Sequence, residues 1–544
     1  MVRRPNKNNP PCPDCGGRTI SDGTRAHTDI KRFRCKGEVD DTKCATKPRR
    51  FSELTKDTVL DDAIKAPVQV RDALRDDTNV FLITWAQNNT PVDEGFWAAL
   101  GACREHRDAD LMVIKGHYRN PTVRTEEVED EVWADEVMEV GLWDKPADLC
   151  PILTVLADYR VQPTAMRPLT GLDSVTGGKS GILGHPKLEM RSVATPQNEL
   201  PKQMQTTGAC TIPNYSNSKA GKKGEFHHTI GAVIVEIRGD VFHMRQLNAC
   251  KDGSFIDVNT EYFPDGTHKP APRALALSMG DWHSGFTAPH VIDATFNDHD
   301  SIVAVLRPRE ILWDDLLDQY SRNHHHIFKP FIGIAKIKDE PLWDRNRLRD
   351  EVEAACEELS YYTAHANEVV GEKVTSTVKA SNHDDALTRY IEERNWKNDP
   401  VNAEFYLETA LEMTRAAKMS DSGAEYPQAF ALWGAKLCDP KYVTFLGRRG
   451  SHMIGGIECI FHGDIGPNGA RGSIMNFAKI GVKTVIAHAH TPGIVEGCYQ
   501  SGTSTFLDLE YARGPSSWSN THVAIYGNGK RALITIINGN WRHN

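Results

Sequence analysis

The sequence RALALSMGDWH at residues 273–283 is a short apolar run that ends in two metal-ligand residue types, Asp281 and His283. Four later segments have the same form. They are SIVAVLRPREILWDDLLD at 301–318, KVTSTVKASNHDD at 373–385, GGIECIFHGD at 455–464 and VKTVIAHAH at 482–490. In a sheet covered by helices, the carboxyl ends of the strands meet at one edge. The repetition therefore predicts one site assembled from five distant segments.

The residue types in these segments narrow the chemistry of that site. A lone D-x-H or H-x-H is more often a surface turn or a core histidine, but five such pieces in succession favour a metal centre. Carboxylate, amide and imidazole ligands together suit Mn²⁺, Fe or Zn²⁺. A calcium site would avoid histidine, and a structural zinc site would favour cysteine.

The order D-x-H, D-x-x-D, N-H-D, H-G-D and H-x-H resembles the calcineurin-like metallophosphoesterase superfamily, from Arg273 to the C-terminus. The resemblance implies an α/β fold, a two-sheet αββα sandwich, and two divalent metal ions. Mn²⁺ is the first choice, with Mg²⁺, Fe and Zn²⁺ as alternatives. The implied ligands are Asp281, His283 and His490 for one ion, Asn382, His462 and His488 for the other, and Asp315 between the two. The implied catalytic residues are Asp315 and His383, with His383 facing the phosphate.

Three positions depart from the superfamily pattern without removing a ligand. Asp314 stands where the superfamily usually has glycine, and Ser381 replaces the glycine before Asn-His. The last motif reads AHAH instead of GHTH. We expect these changes to alter loop shape more than metal binding.

The N-terminus contains a second cluster of metal-ligand types. Cys12 and Cys15 form a C-x2-C pair, and Cys35 and Cys44 form a wider C-x8-C pair. Four thiolates in two turns can close a tetrahedral zinc site. The spacing resembles a zinc ribbon and implies one structural Zn²⁺, and the alternative is four unrelated thiols.

Changes in composition and in apolar patterning along the chain predict four units. They are a zinc-ribbon-like module at 1–52, an α/β accessory domain at 53–165, a β-rich accessory region at 166–270 and the metallophosphoesterase domain at 271–544. VFLITWA from Val80 and LMVIKG from Leu111 are typical of buried strands that flank a helix. The final THVAIYGNGKRALITI predicts a closing hairpin. We expect 342–370 to contain a packed surface helix.

Composition sets the broad class. The 544 residues are 40% hydrophobic and 25% charged, which is typical of a globular chain. No apolar run approaches the roughly 18 residues of a membrane span, and no signal sequence is visible, so we expect a cytoplasmic protein without a membrane partner. The net charge is −9, yet residues 1–50 contain thirteen lysines and arginines against six acidic residues.

The substrate is inferred from features outside the ligand set. The basic segment 1–50 suits contact with nucleic acid. Arg471, a further cation, lies close in sequence to the predicted ligand His462. His324 and His325, in a run of three histidines, either line the cleft or belong to a solvated loop. The whole chain is similar to the pre-early DNA-degradation proteins of tailed phages, which are related to SbcD-type nucleases. That resemblance implies a DNA nuclease in the host cytoplasm and a homo-oligomer.

Two other functions remain open from the sequence. The first is a metal-dependent phosphatase or nucleotide phosphodiesterase with an N-terminal specificity module. The second is a non-catalytic DNA-binding or assembly protein.

Overall fold

The computed structural model describes residues 78–118, 131–196, 199–319, 347–394, 396–419, 428–509 and 514–542, together with residue 74 and the backbone of five short strands before residue 53. The chain forms several sheets with helices between them, so the predicted mixed α/β class is confirmed. The α-helices of the described residues are Glu94–His106, Asp135–Val140, Lys219–His227, Pro289–Ile292, Ile302–Leu306, Leu348–Val370, Asp384–Glu392, Ala403–Met419, Ala429–Leu437 and Ile474–Phe477. A π-helix at Asp293–Asn297 and 3₁₀ turns at Trp396–Asn398 and Pro467–Gly469 complete the helical elements.

A six-stranded sheet contains three of the five motif strands. Its order is Val443–Phe445, Thr375–Val378, Glu310–Trp313, Ala276–Ser278, Thr521–Ile525 and Arg531–Thr535. The first four strands are parallel, as expected when helices connect them. The last two pair antiparallel as the predicted closing hairpin.

A ten-stranded sheet contains the other two motif strands. Its order is Met453–Ile454, Ile457–Glu458, Thr484–Ile486, Cys498–Gln500, Gly493–Val495, Glu189–Val193, Lys202–Thr206, Ser180–Leu183, Leu153–Leu156 and Ala147–Cys150. Strands from before residue 210 and after residue 450 meet in this sheet, because Glu189–Val193 pairs with Gly493–Val495.

Alternation along single strands shows how the layers pack. Leu312 points to a core that also contains Val485 and Tyr499 of the ten-stranded sheet. Its neighbours Ile311 and Trp313 belong to a different core, which lies against the helix Leu348–Val370. Successive side chains of a strand point to opposite faces. The six-stranded sheet therefore has helices on one face and the second sheet on the other.

The helix Leu348–Val370 occupies the predicted surface-helix region. Its buried positions include Val352, Leu359 and Val370, at the spacing of one helical face. It ends at Gly371, whose φ of 70° is a left-handed conformation that glycine adopts without strain.

The N-terminal part contains a five-stranded sheet. Its order is Val241–Asn248, Gly231–Arg238, Val80–Gln87, Asp110–Gly116 and Leu142–Trp143. Val80–Gln87 and Asp110–Gly116 are parallel, and the helix Glu94–His106 connects them, as predicted. Asp93 caps that helix by accepting a hydrogen bond from the Phe96 amide at 2.9 Å.

Smaller sheets complete the described structure. They are Phe255–Asp257, Thr260–Tyr262 and His268–Pro270; Thr19–Thr24, Lys31–Cys35 and Arg50–Ser52; and the pair Glu38–Val39 and Thr42–Lys43. The predicted division into four units stays a prediction, and two of the large sheets draw strands from both sides of a predicted boundary. Among the described helices, none has the length and apolar character needed to cross a bilayer.

Candidate metal centre

The predicted ligands come together where strands of two different sheets end. Strands of the six-stranded sheet precede Asp281, Asp315 and Asn382, and strands of the ten-stranded sheet precede His462 and His488. The prediction of a single sheet edge is therefore wrong in this detail, because the site lies where both sheets of the sandwich end. Backbone hydrogen bonds fix two of the loops side by side: the His283 amide donates to the Asp315 carbonyl at 2.7 Å.

The first group of ligand types consists of Asp281, His283, Asp315 and His490, whose candidate ligand atoms lie within 4.8 Å of one another. All four residues are buried. The Nε2 atoms of His283 and His490 are 3.2 Å apart, and His490 Nε2 lies 3.1 Å from a carboxylate oxygen of Asp281. Imidazole nitrogens and carboxylate oxygens that converge in this way could hold a metal ion.

The second group consists of Asp315, His462 and His488, again within 4.8 Å. His462 Nε2 lies 3.2 Å from a carboxylate oxygen of Asp315 and 3.1 Å from the amide oxygen of Asn382. The Nδ1 atom of His488 is buried and has no hydrogen-bond partner among the described residues, which fits a ligand atom. Asp315 belongs to both groups.

The backbone at these positions is held in a conformation that few side chains adopt. The φ angles are 49° at His283, 45° at Asp315, 73° at His488 and 55° at His490. Left-handed backbone costs a non-glycine residue about 1–3 kcal/mol, and such residues concentrate at functional sites. Four candidate ligands therefore share a strained backbone that directs their side chains into one space.

The electrostatic field of the groups favours a cation. Burial works to lower the pKa of His283, yet the hydrogen bond to Asp318 and the charges of Asp315 and Asp281 raise this pKa to about 9. Burial works to raise the pKa of Asp315, but the imidazoles of His462 and His383 hold it well below the usual range. Ionised carboxylates are thus concentrated where a positive charge is required, and a bound metal ion would replace imidazole protons.

Two carboxylates that the sequence prediction did not assign hold the imidazoles in position. Asp318 lies 2.8 Å from Nδ1 of His283, and Asp314 lies 3.0 Å from Nδ1 of His462. A carboxylate that accepts the Nδ1–H directs Nε2 of the same ring towards the metal position. Both residues belong to the D-D-L-L-D run, and the concentration of carboxylates in that run is the sequence feature that could have indicated their role.

An arginine links two segments that follow ligands of the second group. Arg448 lies 2.6 Å from a carboxylate oxygen of Asp385, which follows Asn382 closely, and 2.8 Å from Asp464, which follows His462. It therefore holds the first turn of the helix Asp384–Glu392 against the loop after His462, and both segments adjoin ligands of the second group. The sequence showed no pattern that would have singled it out.

The remaining predicted residues have different outcomes. His383 is 22% exposed beside the groups, with its ring edge-to-face on His283 at 4.6 Å between centroids. Arg471 is exposed, on the loop that follows His462. The side chains of His324, His325, Cys12, Cys15, Cys35 and Cys44 lie outside the described residues.

Comparison with known proteins finds a phage relative. Protein A1 of Escherichia phage T5 is 32% identical to this chain over 476 residues. The match covers 84% of this chain and 82% of the phage protein. No protein-family model matches the chain.

Proposed function

The chain belongs to the family of Protein A1 of Escherichia phage T5, and we propose that it is a two-metal phosphodiesterase that cleaves DNA. The observation that carries this proposal is the position of Asp315, whose buried carboxylate belongs to two groups of Asp and His ligand types at once. The motif order and the two-sheet sandwich support assignment of the C-terminal half to the calcineurin-like metallophosphoesterase superfamily.

In this proposal, Asp281, His283 and His490 would hold the first ion, Asn382, His462 and His488 would hold the second, and Asp315 would contribute to both sites. Two divalent ions, with Mn²⁺ the first choice, would neutralise phosphate charge and lower the pKa of water. The protein supplies ligands of which five are buried, and a strained backbone at four of them fixes their positions before substrate arrives.

His383 is the proposed catalytic residue that contacts the substrate. Its Nδ1 lies 3.3 Å from the backbone carbonyl oxygen of Asp318, so Nδ1–H donates there. Nε2 is then the ring atom that can meet a phosphate or leaving-group oxygen. With a second proton on Nε2, a histidine in this place would stabilise charge on the phosphate or give that proton to the leaving oxygen.

Three observations favour DNA as the substrate. The first fifty residues are basic, which suits contact with a phosphate backbone. Arg471 is exposed on the loop after His462, where a polyanion can reach it. Membership of a phage protein family agrees with the resemblance to phage DNA-degradation proteins, which implies action on DNA in the host cytoplasm. The N-terminal zinc site and a homo-oligomeric state complete the proposal, and elemental analysis and light scattering test them.

The test is cleavage of linear and circular DNA by purified protein with Mn²⁺, Mg²⁺ or a chelator. We expect metal-dependent cleavage that falls by at least about 100-fold in His383→Ala, because general acid–base groups contribute about 10²–10⁴-fold. His299→Ala is the matched control, since His299 is exposed and lies outside both groups.

Each alternative has its own outcome. Hydrolysis of a small chromogenic phosphodiester without cleavage of any DNA would favour the phosphatase or nucleotide phosphodiesterase. If His383→Ala keeps full activity towards both DNA and the chromogenic phosphodiester, the assigned role of that histidine is refuted. Inertness towards both substrates would favour a non-catalytic protein.

A further inference from the structure

A lysine with no exposed surface lies directly behind the second ligand group. Lys379 follows the strand Thr375–Val378 and is fully buried. Its Nζ lies 2.6 Å from a carboxylate oxygen of Asp314, which is also fully buried. The same ammonium group donates to the carbonyl oxygen of Phe461 at 3.5 Å.

This ion pair acts on one ligand, His462. The other carboxylate oxygen of Asp314 accepts from Nδ1 of His462 at 3.0 Å. Phe461, whose carbonyl contacts Lys379, is the residue immediately before His462. Lys379 therefore holds both the carboxylate that orients the imidazole and the backbone that carries it.

A buried ion pair of this kind points to a specific role, because taking two charges out of water costs several kcal/mol per ion. Asp314 could itself be a metal ligand, since it also lies within 4.8 Å of Asp281 and His462. The ammonium group at 2.6 Å argues against that role, because its positive charge would oppose a cation bound to the same carboxylate. The remaining role for the carboxylate is to accept the Nδ1–H of His462.

We propose that Asp314 and Lys379 are positioning residues, which fix His462 in the tautomer and orientation that present Nε2 to the second metal ion. The glycine that the superfamily resemblance leads one to expect at 314 is thus replaced by a carboxylate, and Lys379 balances its charge. This inference rests on the proposed function only in its assumption of a second ion. Loss of such partners typically lowers metal affinity about 10–100-fold.

The test is metal binding by variants in which the pair is neutral. The double variant Asp314→Asn, Lys379→Met leaves no uncompensated buried charge, and the double variant Asp314→Leu, Lys379→Met, which is also neutral, is the second variant in case the first does not fold. Titration of chelator-treated protein with Mn²⁺ is followed by calorimetry and by electron paramagnetic resonance, which distinguishes coupled from isolated Mn²⁺.

We expect the variants to bind the first Mn²⁺ as the wild type does and to require about 10–100-fold more Mn²⁺ before the coupled signal forms. His462→Ala is the reference for a damaged second site. Lys202→Met is the matched control, because Lys202 is also buried but donates to the Gly177 carbonyl in another part of the fold.

Formation of the coupled pair at wild-type Mn²⁺ concentrations in both variants would overturn the inference. Equal weakening in Lys202→Met would do the same, since the effect would then be general. A wild type that binds two coupled ions but leaves DNA intact would refute the nuclease and leave this inference standing.

Discussion

Replacement of Asp315 by asparagine tests whether one carboxylate serves two ions. A ligand that binds only the folded state stabilises it by about 2.7 kcal/mol at 100 times its dissociation constant. Two ions would therefore contribute about 5 kcal/mol to the free energy of unfolding. Because Asp315 belongs to both groups, Asp315→Asn should lose most of that contribution. His490→Ala removes a ligand of the first group alone and should lose about 2.7 kcal/mol.

The assay is urea unfolding of each variant in excess Mn²⁺ and again in a chelator. The difference between the two conditions isolates the contribution of the metal from any change in the stability of the metal-free protein. His299→Ala should keep the full difference. If Asp315→Asn loses no more metal-dependent stability than His490→Ala, Asp315 does not contribute to both sites.

Three further predictions concern other parts of the chain. Burial lowers the pKa of His185 to about 4. Below about pH 6.5, this imidazole therefore binds a proton in the unfolded chain but stays neutral in the folded chain. His185 alone should therefore lower the free energy of unfolding by about 2 kcal/mol between pH 7 and pH 5, and His185→Gln should change the difference between urea unfolding at the two pH values by that amount. Arg448→Met separates two carboxylates from their shared partner and should lower the free energy of unfolding by about 2 kcal/mol; an unchanged denaturation midpoint would contradict this. Replacement of Cys12 and Cys15 by serine should release about one zinc ion per chain with the catalytic metals retained, and unchanged zinc by elemental analysis would rule out the zinc site.

Much of the site follows from local sequence. Apolar runs that end in Asp281, Asn382 or His488 identify strand ends, because a buried strand needs continuous apolar side chains while its end reaches solvent or a cleft. The helix within 342–370 and the closing hairpin follow in the same way from helical spacing and from a Gly-Asn-Gly turn.

The pairing of distant strands does not follow from local sequence. Glu189–Val193 pairs with Gly493–Val495, about 300 residues away. The hydrophobic alternation within a strand shows which face is buried, but it does not show which distant strand pairs with it. The five motifs were therefore expected at one sheet edge, whereas they come from two sheets.

The roles of Asp314 and Lys379 follow from contacts that the sequence does not show. In the sequence, Asp314 is only a departure from a motif and Lys379 is only a charge after an apolar strand. Their role depends on a 2.6 Å contact that is made when two parallel strands lie side by side.

The two-metal centre is tested most directly by anomalous X-ray scattering from crystals soaked in Mn²⁺. We expect two manganese peaks about 4 Å apart, one beside His283 and His490 and one beside His462 and His488, with Asp315 in contact with both. A single peak, or two peaks that do not share Asp315, would contradict this expectation.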